Sequence, residues 1–89
     1  MEKNLQNDIQ QLREHIEQLS ADIQRLTSDV KIMFELLQTV LQQAAFADPD
    51  EIDYAAVHQA KNSYIETHDL LDLATKTKRD ATERLKQLS

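Results

Sequence analysis

The sequence predicts an all-α protein, an antiparallel helical hairpin of two long, coiled-coil-like helices that dimerises into a four-helix bundle. Three observations lead there. Apolar residues recur at alternating steps of four and three from Leu5 to Ala44. The 89 residues contain no Gly and one Pro, Pro49, near the middle of the chain. A second apolar stripe runs from Val57 to Leu88 in a register one residue out of step with the first.

The first helix is predicted over about residues 4–46. Ile9, Ile16, Ile23, Val30 and Leu37 occupy heptad position a, and Leu5, Leu12, Leu19, Leu26, Met33 and Val40 occupy d. A stripe repeating every 3.5 residues must be buried along another helix. Asn4 and Asp8 are local capping candidates without a sharp start signal, so residues 1–4 read as a frayed first turn. Up to Met33 the residues off the seam are mostly Gln, Glu, Asp, Ser, Thr and Arg. Beyond Lys31 the stripe widens as Ile32, Phe34, Leu36, Leu41, Ala45 and Phe46 join it. So broad an apolar surface asks for neighbours on more than one side, and the thickest core is expected at residues 32–46.

The break is read at residues 47–48. Asp48 is expected as an N-cap, Pro49 at the first helical position and Glu51 at the third, an Asp form of the capping box. Asp50 and Glu51 also favour a helix N-terminus electrostatically. A single long helix kinked at Pro49 is the alternative, but the slip in register between the two stripes is awkward for an uninterrupted coiled coil.

The second helix is predicted over about residues 49–88, which makes residues 1–89 one helical domain. Its seam is Val57, Ala60, Tyr64, Thr67, Leu71, Ala74, Lys78, Ala81, Leu85 and Leu88. Folding back at residues 47–48 pairs residues whose numbers total roughly 97. Val40 then meets Val57, Leu37 meets Ala60, Met33 meets Tyr64, and Leu12 meets Leu85. Large faces small at several levels, which favours close packing.

Two helices share one seam, so apolar residues remain over. The candidate oligomer or partner interface is Phe34, Leu36, Leu37, Leu41, Phe46, Tyr54, Ile65, Leu70 and Leu73. Dimerisation of the hairpin would cover such residues. A parallel long-helix dimer ranks second, because Ile or Val at a with Leu at d suits it but the flanking charges offer little pairing.

Composition excludes much. The chain has 16 acidic and 10 basic side chains and a net charge of −6, whereas nucleic-acid binders carry basic stripes. Without Cys there is neither a disulfide nor a thiolate metal site. No run of 18 apolar residues spans a membrane, and the N-terminus lacks the apolar block of a signal peptide, so a cytoplasmic protein is expected. His15, His58 and His68 read as solvated helix-surface residues; His68 and Asp72 share a face, yet two ligands make no metal site. No catalytic or cofactor-binding set emerges, so no enzyme, cofactor or metal is expected.

The basic segment 76–86 (Lys76, Lys78, Arg79, Arg84 and Lys86) is interleaved with acids. Asp72–Lys76, Arg79–Glu83 and Asp80–Arg84 have i,i+4 spacing, which favours an ion-paired solvated face. The predicted architecture looks like that of small plasmid-type RNA-binding four-helix dimers, but the acidic charge speaks against their role here. Secreted hairpins built on a Trp-x-Gly turn are excluded because both residues are missing. The expected function is a protein–protein interaction module, such as a small adaptor, assembly subunit or inhibitor, forming a homodimer and meeting another protein. The alternatives are a structural coiled-coil scaffold and, third, a nucleic-acid regulator using residues 76–86.

Overall fold

A computed structural model describes residues 2–89, with α1 at Glu2–Phe46, a 3-10 turn at Pro49–Glu51 and α2 at Tyr54–Leu88. The two helices pack antiparallel along their length as a rod of 70 × 15 × 14 Å. Part of the expected frayed start, Met1, lies outside the described residues; from Glu2 the chain is helical.

Both predicted seams form the contact between the helices. From Ile9 to Ala44, every a and d residue of α1 is buried or half-buried, and so is every named seam residue of α2. Leu5 departs, being 43% exposed. The pairing register explains it, because Ile9 already stands opposite Leu88, where α2 stops. The register itself is visible in surface hollows between the helices: one joins Leu12 with Arg84 and Leu88, another Leu26 with Leu70 and Ala74, a third Val40 with Val57.

Hydroxyl groups in and beside the seam are satisfied locally. Ser20, Thr67 and Thr82 donate to the carbonyls of Ile16, Ser63 and Lys78, each four residues back. This back-bonding lets half-buried Ser and Thr sit between helices without orphaned polar atoms. Lys78 at an a position is half-buried, as expected of a side chain whose methylene stem covers apolar surface while its ammonium reaches water.

The connection differs from the sequence expectation. Asp48 has the extended backbone of an N-cap (φ −64°, ψ 147°), but its side chain makes no capping hydrogen bond, and the turn it opens is only Pro49–Glu51. Ile52 then returns to extended backbone, and the second helix starts at Tyr54 rather than at 49. Its N-cap is Asp53, whose carboxylate accepts from the Ala56 backbone N–H at 3.1 Å. The Asp-Pro-Asp-Glu signal therefore sets a single tight turn, and a second Asp opens the helix proper.

The expected thick core at residues 32–46 does not form within one hairpin. The buried apolar residues are Leu19 (9% exposed) and Ala81 (8%), towards the end remote from the turn. Phe46, counted in that core from its sequence, is 91% exposed. Two helices enclose only the stripe between them, and residues outside positions a and d keep contact with solvent.

Candidate interaction surface

Position in the heptad sorts the apolar residues that the seam leaves over onto two flanks. Phe34 and Leu41 of α1 and Tyr54 of α2 are at e, with Ile65 at the adjoining b. Ile32 and Leu36 of α1 and Leu70 and Leu73 of α2 are at c or g. All eight are exposed. In an antiparallel pair e lies beside e and g beside g, so each set lines one side of the rod.

The first flank is built around an aromatic contact. The Phe34 and Tyr64 rings lie 5.8 Å apart between centroids at a 48° tilt. Tyr64 in turn is 5.9 Å from the His68 ring. Centroid separations of this size with tilted planes suit the ring quadrupoles. His68 Nδ1 lies 3.3 Å from Asp72 Oδ2, and a shallow hollow beside these rings is lined by Tyr64, Ile65, His68 and Asp69. The sequence paired Met33 with Tyr64 and left Phe34 uncovered. Phe34 nevertheless reaches across, although it remains exposed.

The second flank holds a more apolar hollow, lined by Leu19, Asp22, Arg25, Leu26, Leu70, Leu73, Ala74 and Thr77. Asp22 is fixed at its edge, accepting from Gln18 Nε2 at 3.1 Å and lying 3.8 Å from Arg25 Nη2.

The remaining sequence-selected residues fall elsewhere. Leu37 is half-buried in the seam, spent within the hairpin and not displayed. Phe46 is at a c position near the turn, separated from Leu36 by ten residues, about 15 Å of helix. His68, Asp69 and Asp72 offer one donor atom each within 4.8 Å of one another, so Asp69 joins the pair read from sequence. All three are exposed on one turn of α2.

None of the three ion pairs read into the basic segment forms among the described residues, and two of their acids pair elsewhere. Asp72 meets His68, and Glu83 meets Lys86 at 4.0 Å, neither with the expected partner. Exposed long side chains gain little from any one such pairing, so i,i+3 and i,i+4 choices compete closely.

No protein-family model, curated protein or solved structure matches the chain. No helix is long and apolar enough to cross a membrane among the described residues. The chain is a small all-helical hairpin with apolar residues displayed on both flanks.

Proposed function

We propose that the hairpin is a non-enzymatic protein–protein interaction module that works through its helix flanks as a small adaptor, assembly subunit or inhibitor in the cytoplasm. The observation that carries this reading is the display of Ile32, Leu36, Leu70 and Leu73 beside a seam that already satisfies the hairpin's own helices. An accessible surface of 7160 Å² supports it. A compact monomer of 10.3 kDa has about 5,400 Å². Large apolar side chains displayed together on one flank are the surface feature that marks interaction sites.

The assembly that fits best is a homodimer in which the Leu70–Leu73 flanks meet and complete a four-helix bundle. A face 70 Å long and 15 Å wide offers about 1,000 Å², comparable with the roughly 800 Å² each partner gives to a standard interface. The rod's length keeps a structural scaffold as the second reading, since span alone would then be the function. A nucleic-acid role is third; the basic segment carries no interleaved aromatics.

Light scattering across a wide concentration range, with helicity followed on the same samples, tests the reading. A helical dimer that dissociates on dilution is expected. A fully helical monomer at every concentration, no less soluble or stable when Leu70 and Leu73 become Ser, would overturn the dimer.

A further inference from the structure

We propose that the aromatic flank is a docking groove for an amphipathic helix of another protein, one whose apolar stripe is bordered by carboxylates. The proposal rests on the interaction-module reading and names the chemistry of the partner.

The groove follows from the register. Phe34, Leu41 and Tyr54 are exposed along the junction of the two helices, with Ile65 beside it at b and the half-buried Tyr64 within it. They span about 16 Å, three helical turns, which a partner helix matches with apolar residues at i, i+3 or i+4, and i+7. The Phe34–Tyr64 contact already restrains both rings, so docking loses little side-chain freedom there.

Charge selects the partner. The chain is acidic overall, yet cations border this groove. Lys31 precedes Phe34 by three residues, Lys61 precedes Tyr64 by three and Ile65 by four, and neither lysine has an ion-pair partner among the described residues. Asp72 lies 3.3 Å from His68 Nδ1 and Glu35 is at an f position, farthest from the seam; Asp69 lines the hollow with Tyr64, Ile65 and His68, so acid enters only at that end of the groove, one turn past Ile65. A second copy does not answer this charge. A two-fold interface sets one patch against itself and brings the same lysines.

The test is selection of binders from a displayed library of amphipathic helices, with the residues bordering the apolar stripe randomised, against the intact protein. Selected helices should carry Asp or Glu at those borders. K31E/K61E should weaken them about tenfold or more, while L70S/L73S leaves them unchanged. Should the charge-reversed variant fail to fold, K31Q/K61Q and the salt dependence of binding to the unaltered protein give the same readout. Amide chemical shifts should move at Phe34, Leu41, Tyr64 and Ile65. Neutral or basic winners, or a footprint on Leu70 and Leu73, overturn the acidic-helix proposal and leave the interaction module standing. Recovery of no binder at either flank overturns the proposal and removes support for a heterologous partner as well.

Discussion

Phe34 and Tyr64 meet at 5.8 Å, although one is outside the heptad seam of α1 and the other within the seam of α2. The contact widens the interhelical packing on one side only, so it contributes to stability as well as shaping the exposed groove. F34A is expected to cost about 1–2 kcal/mol in urea unfolding. That is less than the 3–5 kcal/mol of a fully buried Phe, because much of the ring remains in water. A change within experimental error would mean the ring contact is not populated in solution.

The tightest packing gives a larger effect. Leu19 is the most buried large side chain described, and L19A should lower stability by about 2–3 kcal/mol. Enlarging its small counterpart in the same region, A81L, should also destabilise, by about 1–3 kcal/mol, through overpacking. Thermal or urea melts of the two variants check both signs. A stabilising A81L would show that the helices stand farther apart than described.

The two aspartates of the connection are expected to separate cleanly. D53A removes the acceptor for the Ala56 N–H and should cost about 1 kcal/mol. D48A removes no side-chain cap bond and should remain within about 0.5 kcal/mol of the parent. Equal losses would restore Asp48 as the effective cap of the second helix.

Replacing Leu70 and Leu73 by Ser tests the dimer without touching the seam. Both are exposed in the hairpin, so the variant should keep its helicity at high concentration and shift from dimer to monomer in light scattering. Loss of helicity in step with loss of mass would mean that the hairpin depends on its partner to fold.

Much of this architecture is legible in the sequence because the seam obeys one simple rule. A residue three or four steps from the last apolar one returns to the same face, and no Gly interrupts either helix. Ile9 to Ala44 and Val57 to Leu88 therefore announce both their burial and their pairing. The connection is less legible. Asp48-Pro49 and Asp53 are both plausible starts on residue type, and only the extended backbone at Ile52 decides between them. The flanks are the least legible part. Phe34 reaches Tyr64, while Phe46, an identical side chain twelve residues on, is left in solvent. That difference depends on heptad position and distance from the turn, which hydrophobicity alone does not encode.

The location of Leu19 and Ala81 has a kinetic consequence. In a hairpin, the loop closed by each cross-helix pair lengthens with distance from the turn. Closing the Leu12–Leu85 level directly from the open chain costs about 1.3 kcal/mol more entropy than closing Val40–Val57. Zippering outward from the connection avoids that penalty, and the rod then closes through the Leu19 and Ala81 region, about 40 Å from the turn, before the last levels at Leu12–Leu85 and Ile9–Leu88. The best-packed level thus clamps the outer half of the rod, just inside the ends most inclined to separate. Interactions of this kind, formed after the transition state, slow unfolding while leaving the folding rate almost unchanged.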